Sequence, residues 1–308
     1  MDDFPFNAES IAQMRSPALF ETLSDLSMIW SVGTGAILYD RRFDRDSKLS
    51  ESLRAVAIAS SLGRKSIDSV RSEYADHEFD DNTDPARIKY VEAYRHARAY
   101  VDRSLKSLKT DPDHELTVGM YAGAVALQRL QWSMFAAHLL YQLRLTFEAD
   151  SVARHVLEQV AWAVAVAELD KDDDIDAVQP QKTIGRLRSL VPEAGPLYGE
   201  LSRTTHAGVA THLSIFEVND EDQGIVRHGV TDWFRSATVM LALADFWVIA
   251  HEHTQRAHVR EIVACEPAND YRPVEDRAFL TELRTALQHI RTTEHDRPSE
   301  RRDTRKPR

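Results

Sequence analysis

Residues 115–169 read ELTVGMYAGAVALQRLQWSMFAAHLLYQLRLTFEADSVARHVLEQVAWAVAVAEL. The run holds no proline and is rich in alanine and leucine, which favour helix. It is far longer than the roughly 8–20 residues of an ordinary globular helix. Two antiparallel helices are therefore expected, with the break between Tyr141 and Asp150. The rest of the chain supports the same default. Glycine and proline number 11 each in 308 residues, and alanine, leucine, arginine and glutamate dominate, so each strand needs a specific signal.

On the N-terminal side, SPALFETLSDLSMIWSVG (16–33) predicts a first helix, with Ser16 as cap and Pro17 at the first helical position. VGTGAILYD (32–40) lacks the third glycine and the strand–turn–helix context of a dinucleotide loop. Residues 47–79 predict one or two further helices. Residues 80–109 predict a clear one, capped by Asp84, opened by Pro85 and basic at its C-terminal end, where cations complement the dipole. TDPDHE (110–115) breaks the chain and suggests a boundary between an N-terminal helical part, 1–112, and a helical bundle, 113–293.

On the C-terminal side, DKDDDIDAVQPQ (170–181) reads as a solvated acidic turn without the glycine and terminal glutamate of a calcium loop. Shorter helices are expected over 181–191 and 195–206. LSIFEVNDEDQGIVRHGV (213–230) carries two β-branched runs around a polar turn with glycine, the only credible β signal. A long helix capped at Thr231 or Asp232 covers 231–263, and an amphipathic one covers 274–292. The tail, 294–308, holds six lysine or arginine residues, His295 and four acidic residues and reads as disordered. The fold class expected is all-α: an antiparallel helical bundle with an N-terminal helical extension and room for one short β-hairpin near 213–230.

Composition narrows the function. The net charge is −11, which disfavours generic phosphate binding while leaving a local basic cleft open. Cys265 is the single cysteine, so no intrachain disulfide forms. The N-terminus lacks the pattern of a secretory signal. The most apolar run, SATVMLALADFWVIAH (236–251), is interrupted by Asp245 and falls short of the ~20 residues a bilayer needs. A soluble, cytoplasmic protein with no membrane span is expected.

A polar stripe marks the candidate site. At 100° per residue, Val152, Val156, Val160, Ala163, Val164 and Ala167 share one face of the 148–169 helix. Glu148, Ser151, His155 and Glu158 share the opposite one, and Arg154 sits one turn before Glu158, within pairing reach. Further along, the stripe becomes Trp162, Ala165, Val166 and Leu169. A solvent face does not normally turn apolar, so the stripe is expected to enter the interior or a cleft, where its charges need partners. Tyr198, Ser202 and His206 recur at i, i+4 and i+8 and offer a facing surface. Such a group can perform acid–base work, or it can fix how two helices pack.

FEADSVARHVLEQVAWAV (147–164) resembles the segment E-A-x-x-x-x-R-x-x-x-E of a family of bacterial helical proteins, and LYGELSRTTH (197–206) resembles their later L-Y-x-x-L-S-x-x-x-H. Those proteins are grouped with the HEPN-like superfamily of four-helix bundles. Some members are ribonucleases, often toxins or antiphage effectors, and others are non-catalytic. The resemblance covers roughly residues 120–260. It implies a stress- or defence-associated protein in which Glu148, Arg154, Glu158, Tyr198, Ser202 and His206 gather, with RNA as partner and a homodimer cleft as the site. HEPN nucleases carry an arginine, then four to six intervening residues, then a histidine. Here Arg203 precedes His206 by three positions and His212 by nine; the expected spacing recurs only at Arg284–His289 and Arg71–His77.

Two readings follow. In the first, Arg154, Glu158, Arg203 and His206 are the catalytic residues of a metal-independent ribonuclease, with Glu148, His155, Tyr198 and Ser202 in the polar cluster around them. In the second, the same residues form a structural network in a non-enzymatic helical binding or scaffold protein. No cofactor is expected and no metal site: H-E-x-x-H is missing, and His251 and His258 of HEHTQRAH read as a polar face near a helix end. Asp245 is expected to salt-bridge into the core or to border the cleft.

Overall fold

The computed structural model describes residues 26–30, 36–40, 48–61, 63–64, 66–73, 85–109, 111–205, 208–209, 213, 216–218, 223–226 and 232–295. The chain is all-α apart from short hairpins. The sequence pair at 115–169 forms the antiparallel helices α4 (Val118–Gln142) and α5 (Thr146–Val166), broken where expected, at 143–145. Arg144 holds a left-handed backbone there, φ 61°. The two helices approach closely because α4 presents glycine to α5. A Cβ on Gly119 would lie 1.7 Å from the Val166 carbonyl oxygen, and the Gly119 amide donates to Leu169 O at 2.8 Å. Thr117 caps α4, accepting from the Met120 amide and donating to Ala167 O, so one side chain ties the start of α4 to the end of α5.

Around this pair stand α3 (Pro85–Lys106), α7 (Ile184–Leu190), α8 (Ala194–Thr205), α9 (Trp233–Gln255) and α10 (Ala278–His295). Asp232 caps α9, its carboxylate accepting from the Arg235 amide at 2.8 Å. α9 packs against α3, α4, α5 and α10 and buries Trp233, Met240, Leu243 and Trp247. One apolar core joins these to Tyr90, Tyr94 and Ala97 of α3 and to Ile290 of α10. Thus α3, on the N-terminal side of the break at 110–115, shares its core with the helices beyond it. Together with the 3₁₀ turn that follows it, α9 gives one helix, Trp233–His258, long and apolar enough to cross a membrane; 78% of its apolar window is buried inside the protein. The apolar run 236–251 lies inside this longer helix.

Further N-terminal, α1 (Lys48–Ser61) and α2 (Ile67–Glu73) share a small cluster of Ala55, Ile58, Ala59 and Val70. The helix expected over 16–33 is corrected. Leu26–Trp30 is a strand, β1, paired antiparallel with β2 (Ala36–Asp40) in the register Met28↔Leu38 and Ile29↔Ile37. Aromatic and β-branched residues suit strands, and the glycines of VGTG lie between the two strands. The remainder of that expected helix, with Ser16 and Pro17, lies outside the described residues, as do Asp84 and the tail 296–308. The hairpin expected near 213–230 is present as β3 (Phe216–Val218) and β4 (Gly224–Val226). A third, β5 (Cys265–Glu266) with β6 (Arg272–Pro273), had no sequence signal. The acidic run contains a short helix, α6 (Asp172–Asp176).

Candidate functional site

The stripe on α5 meets α8, as the two periodicities require. Arg154 is the hub. Its Nε donates to Glu158 Oε1 at 2.9 Å, its Nη1 to Thr205 Oγ1 at 3.0 Å and its Nη2 to Tyr198 Oη at 3.3 Å. Tyr198 donates to the same Glu158 oxygen at 3.2 Å, and the guanidinium lies 5.3 Å from the centre of the Tyr198 ring. The side chains of Arg154 and Glu158 are 21% and 11% exposed, so the group is nearly closed over. Burial works against the Arg154 charge, but the bonds to Glu158 and Tyr198 outweigh it and hold the guanidinium protonated.

Of the residues nominated from sequence, the structure brings together Arg154, Glu158 and Tyr198, and adds Thr205. Ser202 lies on the same helix; its hydroxyl oxygen is buried and without a hydrogen-bond partner among the described residues. Arg203 is exposed on α8. Glu148 and His155 are exposed as well. The imidazole of His155 is held below the usual histidine range by partial burial and by the charge of Arg129, against the pull of Glu158. His206, like His212, lies outside the described residues. Along the continuation of the stripe Trp162, Ala165 and Leu169 are half-buried and Val166 is fully buried, and Trp162 Nε1 donates to Val178 O at 3.2 Å.

A neighbouring network was not foreseen. Asp150 is fully buried. It accepts from Tyr141 Oη at 2.6 Å and from Arg235 Nη1 and Nη2 at 3.0 and 2.8 Å, while Arg235 Nε reaches Glu200 at 2.7 Å. This ties α4, α5, α8 and α9 together at one end of the bundle. Beside it, Tyr94 stacks on His138 with ring centres 3.6 Å apart. His138 bonds Tyr90 and Gln142, and Gln142 accepts from Arg87. Asp245 does salt-bridge into the core: it pairs with Arg277 through both carboxylate oxygens. Burial pushes its carboxyl up and Arg277 pulls it back. His251 and His258, expected on a polar surface, are both buried. The segment after α9, which includes His258, runs antiparallel to the chain leaving α3: Lys109 N–H donates to His258 O, and Arg260 N–H to Ser107 O.

A large open concavity lies elsewhere, between the α7–α8 turn, α9, β5–β6 and the first half of α10. It measures about 1010 Å³ and is floored by Leu197, Ala242, Phe246 and Leu283. A separate crevice of about 390 Å³ runs between α3 and α10. Arg284 lines the first and His289 the second, so this pair does not converge on one site. Among the described residues, no group of three or more histidine, cysteine, aspartate or glutamate side chains is arranged to hold a metal ion. No model of a known protein family matches the chain, and neither does any curated protein or solved structure.

Proposed function

We propose that the chain is a non-enzymatic helical binding or scaffold protein, in which Arg154, Glu158, Tyr198 and Thr205 lock α8 onto α5. One observation carries this reading: all three guanidinium nitrogens of Arg154 donate to side chains of the protein itself. An arginine that attends a phosphate turns its fork of donors into an open cleft. Here the fork is turned to neighbours, and the carboxylate beside it is nearly sealed.

The test pairs chemistry with stability. Purified wild type and Arg154→Met are incubated with a mixed RNA substrate and melted in parallel. Intact RNA with both proteins is expected. The variant is expected to lose about 2 kcal/mol, because Glu158 keeps its buried charge with Tyr198 alone. RNA cleavage by the wild type that disappears in a folded Arg154→Lys variant would overturn the lock and favour a HEPN-like ribonuclease.

A further inference from the structure

At the end of α9 the chain leaves the helix through Arg256, which holds a left-handed backbone, φ 44°. The turn that follows brings His258 beside the start of α4 and the end of α5. A pocket of about 340 Å³ opens there, at the small end of the ~300–1,000 Å³ that small-molecule sites span. Its floor is Met120, Ala167, Thr254 and His258, all buried. Its rim is His114, Glu115 and Glu168, all exposed, and the half-buried Arg256.

The chemistry of the floor follows from one ring. The Asp111 amide lies 3.2 Å from His258 Nδ1. An amide N–H only donates, so Nδ1 is the bare nitrogen and Nε2 carries the hydrogen. His258 is 2% exposed, and its Nε2 meets no partner among the described residues. The hydroxyls around it are occupied. Thr117 Oγ1 donates to Ala167 O and accepts from the Met120 amide. Thr254 Oγ1 donates to His251 O and accepts from Gln255 Nε2. The floor keeps one spare polar side-chain group, a buried N–H, so a ligand there must bring an acceptor. A metal ion is refused, because that nitrogen has no lone pair to give.

The rim sets the charge of the ligand. Arg256 pairs with Glu168 at 2.8 Å, and His114 Nδ1 lies 3.1 Å from Asp111 Oδ2. Glu115 forms no ion pair among the described residues. The first amides of α4 are taken as well: Gly119, Met120 and Tyr121 donate to Leu169 O, Thr117 Oγ1 and Thr117 O. An anion therefore finds the guanidinium paired, the helix start closed and Glu115 against it. A cation suits Glu115 but brings no acceptor to His258. A neutral carboxamide suits both: its carbonyl accepts at the floor, its NH₂ donates toward the rim, and Met120, Ala167 and Ala257 take an apolar body.

We propose that this pocket binds small neutral carboxamides, the carbonyl oxygen on His258 Nε2–H and the amide nitrogen turned to the rim at Glu115. The proposal rests on the binding-protein reading and names its ligand class. Benzamide, benzoate and benzamidine share one shape and differ in charge. Each is titrated into the full chain by calorimetry, with His258→Asn alongside. The asparagine carbonyl keeps an acceptor for the Asp111 amide while the Nε2 donor is lost. Benzamide should bind, and benzoate and benzamidine should each bind about tenfold more weakly. His258→Asn should weaken benzamide by about tenfold and leave the other two as they were. In ring-nitrogen spectra of the isotope-labelled wild type, the His258 Nε2–H signal should move on adding benzamide, a readout that does not depend on the variant folding. No binding at about 10 mM benzamide, benzoate bound as tightly as benzamide, or benzamide bound with the His258 ring unmoved overturns the site. So does undiminished benzamide binding by a folded His258→Asn. None of these results touches the RNA test, so the lock at Arg154 stands or falls separately.

Discussion

The two ends of α9 bury polar groups in different ways. At its N-terminal end the acid is Asp150, neutralised by a counter-ion: Arg235 approaches it from another helix, 85 residues away in sequence, and Tyr141 supplies a further donor. At its C-terminal end the acid is Glu252, fully buried and satisfied by three amides of the loop 11 to 13 residues on. Its neighbour His251 is buried as a base beside Ser104, at 2.9 Å. The first arrangement joins four helices and fails if either partner is lost. The second is local: the acid and its three donors lie within 13 residues of one another. A buried ion pair broken on one side costs more than an acceptor taken from backbone amides.

The largest effect is expected from Asp150→Ala. It strands Arg235, whose side chain is only 22% exposed, and leaves Tyr141 Oη without its acceptor. The expected loss is about 4 kcal/mol, read as a fall in the urea midpoint at unchanged slope. Replacing Asp150 and Arg235 together by apolar residues of similar size should recover most of it. A single variant within 1 kcal/mol of wild type would show that Glu200 alone carries the Arg235 charge.

How far the sequence reaches follows the same division. Contacts within one helical repeat were legible: the α4–α5 break, the Arg154–Glu158 step and the facing Tyr198 all follow from a period of 3.6 residues. Glu148 and His155 share the stripe by angle, yet they are exposed, because a helical wheel gives direction and not the depth to which the neighbouring helix covers each turn. Asp150 borders the same stripe, but its partner Arg235 opens a distant helix with no signal of its own beyond the Asp232 cap. The strand at Leu26–Trp30 was hidden because Met28–Trp30 fit an amphipathic helix as well as a hairpin arm. The β5–β6 wall was illegible for another reason: it is held by Glu252 and Asp245, acids on a greasy helix whose partners are backbone amides and Arg277.

The next largest effect lies at His251. Burial pushes its imidazole down from 6.5 to about 4. The unfolded chain then binds the proton more readily than the folded one between those values, so stability falls as pH falls through this window. The contribution is fully present above pH 6.5 and lost by about pH 4, a swing of about 3 kcal/mol. Asp245 and Glu252, whose carboxyls are raised by burial, work in the opposite sense. The readout is therefore the difference between wild type and His251→Gln. The variant should show a flatter decline from pH 6.5 to 4, and equal slopes would place the titration elsewhere.

The smallest of the three effects is at Glu252, and it decides whether the loop amides act as a unit. Glu252→Gln keeps the shape and one acceptor oxygen, but it turns an NH₂ group toward the amides of Val263, Ala264 and Cys265. A loss of about 2 kcal/mol is expected. Amide exchange should then quicken at those three residues together, while the amides at the α5–α8 interface keep their protection. If exchange quickens at Arg235 as well, the two ends of α9 unfold as one element, and the local character assigned to the C-terminal end is wrong. If only one of the three amides responds, the carboxylate is a single hydrogen bond with two passive neighbours, and the hairpin wall is held mainly by Asp245 and Arg277.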